Sequence, residues 1–285
     1  RAGLYGLIVA DALGVPAESR TREDLRRNPI TEMVGGGLHQ QPAGYWSDDS
    51  SMTLCLADSI GKVGYYHTHD IMARFDDWCR NGAYTPGGKK FDIGNTCAWA
   101  IDRYRKGCTP ALCGSNKMNE NGNGSLMRIL PMAFVLYGKY GKNITKHKRA
   151  MEDIHKISGL THRHPLAQSA CGIYLSIACH LLAGEQLHMA VLDGVRKALD
   201  WYAGLMPING RDYFRLSKNI IGNFDSAEAV QIAAMAGIEL LVPLHFDLYA
   251  INDASPAHFV DCIGKFAPRQ HYHIFAPGEK MIYEK

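Results

Sequence analysis

The sequence predicts a mainly α-helical protein, with a helical domain over residues 1–203 and a small α/β segment over residues 204–285. In the first part, apolar residues recur at helical spacing and strand patterns are scarce. From about residue 204, short β-type runs alternate with a helical stretch. We therefore place a domain boundary near Ala203–Leu205.

Several stretches of the first part carry helix signals. "LYGLIVADAL" is expected to end near Gly14, "SSMTLCLADSIG" at Gly61 and "DIMARFDDWCRNG" at Gly82. "NTCAWAIDRYRKG" has an Asn–Thr start and a glycine stop, whereas Pro131 within "GSLMRILPMAFVLYG" predicts a kink or a late start. "HPLAQSACGIYLSIACHLLAG" predicts a helix buried on most sides, and "LHMAVLDGVRKALDWYAG" an amphipathic one.

The second part mixes short strands with a helix. "LMPING" predicts a strand and a turn, "AEAVQIAAMAGI" a helix, and "ELLVPLHFD" a compact strand. "YHIFAPGEKMIYEK" is typical of a hairpin whose turn lies at Pro277–Gly278.

The composition is that of a soluble globular protein. Hydrophobic residues make up 46% of the 285 positions and charged residues 21%. A net charge of +3 is too small to indicate nucleic-acid binding, and no signal peptide or membrane-spanning apolar run is found. The eight cysteines form no C-x-x-C pair, so we expect reduced thiols in a cytoplasmic protein without nucleic-acid or membrane partners.

The stretch "WSDDSSMT" at residues 46–53 places two acids side by side where a helix begins. Successive positions on a regular helix point about 100° apart, so adjacent carboxylates converge only where the chain is not yet helical. Such a pair repels itself unless a cation or a proton joins it. Ser47, Asp48 and Asp49 offer the hard oxygen ligands that Mg²⁺ prefers. An ordinary helix cap is the alternative interpretation of this pair taken alone.

Four other stretches stand apart from ordinary helix sequence. "ADALGVPAE" carries Asp11 in an apolar helix and Glu18 after a Gly–Pro stop, and "LTHRHP" puts two histidines before a helix. "GGKKFDIGNT" and "NGNGSLMR" are glycine-rich loops before helices, whose backbone N–H groups can bind phosphate. Each signal alone is weak. Together, the five stretches predict a phosphate-bearing ligand beside a divalent metal.

In the same order along the chain, these five stretches resemble the motifs of the ADP-ribosylglycohydrolase family, over about residues 3–203. "ADALGVPAE" is similar to its G-D-A-x-G-x-x-x-E segment, with Ala10 where glycine is usual. "WSDDSSMT" is similar to its T-D-D-T-x-M-T segment, with Ser47 and Ser50 in place of threonine.

The resemblance implies an all-helical fold around a binuclear Mg²⁺ site. It also implies hydrolysis of the N- or O-glycosidic bond between ADP-ribose and a protein side chain, often arginine. In this chain Ser47, Asp48 and Asp49 would be metal ligands, and Glu18, Asp48 and Asp49 the catalytic residues, with Glu18 near the scissile ribose. The implied residues for binding ADP-ribose or an ADP-ribosylated protein are Phe91, Asp92, Ile93, Gly94, Asn121, Gly122, Asn123, Gly124, Ser125 and His162.

The tail departs from the family pattern. The family draws further metal ligands from a late D-x-D-T segment, and no D-x-D follows residue 203. Residues 205–285 instead resemble the C-terminal part of metallo-β-lactamase-fold lactonases, in which the histidine of "VPLHFD", here His245, can bind metal. Asp225 and Glu228 are the nearest substitutes for the lost acids, although Asp225 is more simply a helix cap.

Two other functions therefore stay open beside the hydrolase. A catalytically degenerate protein could bind ADP-ribose with these loops and half of the metal ligands. A lactonase-like metallohydrolase ranks lowest, because the H-x-H-x-D-H segment that supplies its main ligands is absent.

Overall fold

Two units of the chain, Arg1–Ile220 and Ile221–Lys285, make contacts mostly within themselves. The structure is a computed structural model that describes residues 2–203, 230, 234, 240–241 and 256–274. Each unit is described by itself. The division at Ile220–Ile221 falls outside the described residues, and the boundary expected near Ala203–Leu205 stays a prediction.

The regular elements in the described part of the first unit are helices. Its α-helices are α1 Ala2–Gly14, α2 Arg22–Arg27, α3 Asp48–Val63, α4 Thr68–Asn81, α5 Asn95–Arg105, α6 Pro110–Cys113, α7 Pro131–Tyr140, α8 Lys148–Ser158, α9 Pro165–Leu182 and α10 Leu187–Ala203. Short 3-10 turns lie at Val15–Ala17, Met118–Glu120 and Ile144–Lys146. The predicted mainly α fold is confirmed.

Local signals explain where most of these helices begin and end. Ser47 caps α3 by accepting a hydrogen bond from the Asp49 amide, and Gly82 ends α4 with a φ of 70°. The helix predicted around Pro131 starts late, because proline occupies the first position of α7 and needs no backbone donor there.

One predicted end is wrong. The helix expected to stop at Gly61 continues to Val63, and Gly64 closes it with a φ of 75° and an N–H bond to the Ile60 carbonyl. Propensity alone therefore does not decide where α3 ends.

The core of the first unit surrounds α9. This helix packs on α7, α8 and α10, and small residues such as Ala170 and Gly172 let its neighbours approach closely. By length and composition α9 could cross a membrane, but 61% of it is buried inside the fold, as in a core helix. Phe75, Trp78 and Met52 extend the same core beneath α3 and α4.

The described part of the second unit contains helix α11, Pro256–Phe266, and two short strands, β1 Leu240–Leu241 and β2 His271–Tyr272. The strands pair in parallel, with Leu240 opposite His271. Phe259, Cys262 and Val230 belong to a separate small core. The "LMPING" strand, the Pro277–Gly278 turn, Asp225, Glu228 and His245 lie outside the described residues.

Candidate active site

A cavity of about 860 Å³ brings the five predicted stretches of the first unit together. Ten of the predicted site residues line it. They are Glu18, Ser47, Asp48, Asp49, Asp92, Gly94, Gly122, Asn123, Gly124 and His162.

The other four predicted ligand-binding residues are not among the lining residues. Ser125 is fully buried and accepts a 2.9 Å hydrogen bond from the Ser158 hydroxyl. The Phe91 ring contacts that of His39 at 5.2 Å, and Ile93 packs against the hydrophobic core. The Oδ1 of Asn121 is buried with no hydrogen-bond partner in the described part of the chain. The ligand-binding role of these four residues stays a prediction.

Asp11 organises the start of α3. Its Oδ1 accepts from the Ser47 hydroxyl at 2.8 Å. Its Oδ2 accepts from the amides of Ser47 and Ser50, both at 3.0 Å, and from the Ser50 hydroxyl at 2.6 Å. A carboxylate of α1 therefore holds both serines that flank the acid pair. We call Asp11, Ser47, Asp48 and Asp49 the acidic group.

The two adjacent acids carry charge that the surrounding residues do not compensate. Burial, followed by the charges of Asp92 and Asp11, raises the pKa of Asp48 to about 6, although the Gly94 amide donates to this carboxyl. Burial and the charge of Asp48 raise the pKa of Asp49 to about 7. Two carboxyls in this state favour a proton or a cation between them.

A second trio of candidate ligands lies in the same region. The Nε2 of His39 is 2.6 Å from Glu18 Oε2 and 3.9 Å from Asp92 Oδ2. Ligand atoms of these three residues lie within 4.8 Å of one another, so they could share a cation or hold one another without it. His39 lies in "LHQQPAG", where nothing in the sequence marks it, and reasoning from the motifs missed it.

The glycine-rich loop and His162 meet through close packing. A Cβ on Gly124 would lie 2.8 Å from both Cys97 Sγ and His162 Cε1, so any larger residue there would force one of these side chains to move. Ser115 and Thr161 pair by backbone hydrogen bonding, which fixes the loop that carries His162. We call residues 122–124 and His162 the glycine–histidine group.

The charge of the cavity is one-sided. Six carboxylates line it and no lysine or arginine does, all of its lining residues being described ones. Besides Asp11, residues that the sequence reasoning did not assign contribute to the lining: Asn95, Thr96, Cys97, Trp99, Asn119, Glu120 and Met127. Glu120 could not be singled out because a lone acid in "MNENGNG" is typical of an exposed loop.

The donors fit a hard divalent cation. Carboxylate and hydroxyl oxygens surround the start of α3, and the raised pKa values of Asp48 and Asp49 mark negative charge that a cation would offset. These residues could hold such a cation, and their assignment as its ligands stays a prediction. The predicted substitutes for further ligands, Asp225 and Glu228, are not described.

Another cluster, distant in sequence, is already neutralised. His180, Glu185 and Asp193 have ligand atoms within 4.8 Å of one another. Lys142 Nζ lies 2.6 Å from Glu185 Oε1, and Lys197 Nζ lies 3.2 Å from His180 Nε2. Arg196 also pairs with Asp193 at 2.9 Å, so both carboxylates of this cluster already have a basic partner and the cluster is a salt-bridge network.

The fold and the cavity define a class of protein: a helical bundle whose acidic cavity, with glycine-rich loops, suits a cation and a phosphate-bearing ligand. Comparison with known proteins agrees with this class. The profile of the ADP-ribosylglycohydrolase family matches residues 1–253, and the chain belongs to that family.

Individual relatives match parts of the chain. ADP-ribosylarginine hydrolase Tri1 of Pseudomonas putida (strain GB-1) is 30% identical over 240 residues, covering 80% of this chain and 59% of that protein. ADP-ribosyl-[dinitrogen reductase] glycohydrolase of Rhodospirillum rubrum is 31% identical over 184 residues, covering 63% of this chain and 56% of that protein.

A solved structure, an ADP-ribosylglycohydrolase-related protein complex, is 28% identical with a TM-score of 0.53, covering 66% of this chain and 57% of that one. The chain thus spans less than two thirds of the length of these relatives. The family profile also reaches beyond residue 205, where the resemblance to lactonases stays a prediction.

Proposed function

We propose that this protein hydrolyses the glycosidic bond between ADP-ribose and a protein side chain, with arginine as the first linkage to test, in a Mg²⁺-dependent reaction in the cytoplasm. The observation that carries the proposal is the meeting of the acidic group and the glycine–histidine group in one cavity. The names of the relatives, an ADP-ribosylarginine hydrolase among them, support the choice of linkage.

Ser47, Asp48 and Asp49 would hold Mg²⁺ on their side of the cavity. When bound, the ion supplies positive charge that offsets these carboxylates and the pyrophosphate, and it lowers the pKa of a water ligand. A binuclear site, as the resemblance implies, needs oxygen ligands beyond these three residues.

Residues of the chain would bind the ligand, stabilise charge and transfer the proton. The glycine–histidine group binds the ADP-ribose, and the carboxylates stabilise positive charge that develops on the ribose, as in glycosidases. Glu18, held by His39 at 2.6 Å, accepts the proton of the attacking water. The water oxygen bonds to the anomeric carbon, the bond to the guanidino nitrogen breaks, and that nitrogen takes up the proton that Glu18 accepted, which returns Glu18 to its carboxylate form.

A non-catalytic ADP-ribose-binding protein is the second candidate. It is favoured by one observation, that no D-x-D segment, from which the resembling family draws its further metal ligands, follows residue 203 in the sequence. Such a protein would bind ADP-ribose without releasing it from a modified protein, so binding and turnover must be measured separately.

The test is release of ADP-ribose from a protein modified on arginine, with Mg²⁺ and with EDTA, beside calorimetric titration of free ADP-ribose. We expect Mg²⁺-dependent release, and we expect Asp48→Asn to lower it about 100-fold or more, because charge at the reacting centre is lost. The matched control is Asp102→Asn on α5, an exposed acid that bonds Lys106 and should keep full activity.

Binding without release by the unmodified chain would favour the second candidate. If the chain neither binds ADP-ribose nor releases it, both candidate functions are wrong. Full activity of the Asp48→Asn variant would remove the metal assignment.

A further inference from the structure

A buried arginine stands behind the cavity. Arg128 follows the glycine-rich loop and is fully buried, with its guanidinium over the Phe75 ring at 4.9 Å. Its Nη2 donates to the Ile157 carbonyl at 3.1 Å and to the Thr161 hydroxyl at 2.8 Å. Nε and Nη1 have no partner within the described part of the chain. A buried charge with so few hydrogen-bond partners is costly, which indicates a functional role for Arg128.

The Thr161 hydroxyl connects Arg128 to His162. The Thr161 hydroxyl lies 2.9 Å from His162 Nδ1, and Thr161 is fully buried. Arginine can only donate, so it takes one lone pair of the hydroxyl oxygen and leaves the O–H free to donate. The nearby Cys97 thiol also interacts with this hydroxyl, but sulfur is a weak acceptor and imidazole nitrogen a strong one. The proton of the hydroxyl therefore points to Nδ1.

The other ring nitrogen faces the ligand side. His162 lines the cavity, and its Nε2 lies 4.0 Å from the position a Cβ would take on Gly122. In a neutral imidazole whose Nδ1 accepts, Nε2 carries the proton. Burial, and then the charge of Arg128, lowers the pKa of His162 to about 4, so the ring is neutral near pH 7.

We propose that Arg128 and Thr161 are positioning residues that fix His162 as the neutral tautomer with its proton on Nε2. His162 then presents a hydrogen-bond donor to an oxygen acceptor of the ligand, a phosphate or a ribose oxygen. A donor of this kind has value in a cavity lined by six carboxylates and by no lysine or arginine, every lining residue being a described one. The tautomer is inferred from the contacts of Arg128, Thr161 and His162 within the chain, whereas the identity of the acceptor rests on the proposed function.

The experiment is nitrogen NMR of the whole chain labelled with ¹⁵N-histidine, without ligand at pH 7.5, with the His162 signals assigned from a His162→Gln variant. The expected signature is an unprotonated Nδ1 and a protonated Nε2. Thr161→Val, which removes the donor at nearly constant shape, should lose this signature or mix the two tautomers. Thr161→Ser, which keeps the hydroxyl, should retain it.

A second measurement tests the contact between His162 and ADP-ribose. ADP-ribose should shift the Nε2 proton signal of the unmodified chain, and Thr161→Val should weaken ADP-ribose binding about 5- to 10-fold, as expected for one lost hydrogen bond. Thr161→Ser should change it less than 2-fold.

The outcomes separate the two proposals. A wild-type His162 with its proton on Nδ1, or an unchanged tautomer in Thr161→Val, would overturn the positioning role, whatever the chain binds. The expected tautomer in a chain that does not bind ADP-ribose would support the positioning role and count against the proposed function. If Thr161→Val does not fold, Thr161→Ala, which removes the same hydroxyl, takes its place in the comparison with Thr161→Ser.

Discussion

The acidic group and the glycine–histidine group serve one cavity but are built by different means. The acidic group depends on side chains: Asp11 holds Ser47 and Ser50 by four hydrogen bonds, and Asp48 and Asp49 are left with raised pKa values. The glycine–histidine group depends on the absence of side chains at Gly124 and on a histidine kept neutral. We therefore expect the acidic group to be sensitive to changes of charge and to cations. We expect the glycine–histidine group to be sensitive to added side-chain volume.

The largest effect is expected at Asp11. Asp11→Ala removes all four hydrogen bonds at the start of α3 and should lower the free energy of unfolding by about 2–4 kcal/mol, since bonds to a charged group are strong. It should also abolish Mg²⁺ binding, because Ser47 and the acid pair lose their alignment. Denaturant unfolding and calorimetric titration with Mg²⁺ measure the two effects.

Ser50→Ala is the graded control for Asp11. It removes only the 2.6 Å hydroxyl bond and should cost about 1 kcal/mol. Equal losses in the two variants would mean that the carboxylate of Asp11 does not organise the segment.

The contacts of Asp11 and Glu18 show how far the sequence predicts the site. Local sequence patterns predict the acid pair at a helix start, the glycine loops and His162. All of them contribute residues to the cavity lining. The bond from Asp11 to Ser47 spans 36 positions and that from Glu18 to His39 spans 21, so both depend on tertiary packing that no local pattern reveals. Gly61 is likewise a good helix stop by propensity, yet α3 continues past it to Val63.

The next effect is expected in the glycine–histidine group. In Gly124→Ala the added Cβ would lie 2.8 Å from Cys97 Sγ and His162 Cε1, so the histidine must move. We expect a loss of about 1–3 kcal/mol in the free energy of unfolding and about tenfold weaker ADP-ribose binding, with the affinity for Mg²⁺ unchanged.

Gly122→Ala is the matched control, because the nearest atom to its Cβ is 4.0 Å away. It should cost less than about 1 kcal/mol of stability. If Gly124→Ala changed the affinity for Mg²⁺ as strongly as Asp11→Ala does, the two groups would not be separable in the way we describe.

The smallest effect is a pH dependence confined to the acidic group. The pKa values of Asp48 and Asp49 in the folded chain, about 6 and about 7, lie above the ordinary value of 3.8. A raised pKa means that their contribution to stability is complete below about pH 4 and is lost as the pH rises through 6 and 7. Without divalent cations, these two residues should therefore lower the Tm as the pH is raised from 5.5 to 8.

Mg²⁺ should offset this loss, because it binds the ionised pair in the folded state. The increase in Tm on adding Mg²⁺ should be several degrees larger at pH 8 than at pH 5.5, and thermal unfolding at the two pH values measures it. The double variant Asp48→Asn, Asp49→Asn should lose the Mg²⁺ effect at both. Gly122→Ala, which leaves the acids in place, should keep it. An Mg²⁺ effect independent of pH would show that the ion does not compete with protons at this pair, and it would move the metal site elsewhere, with Glu18, His39 and Asp92 as the next group to test.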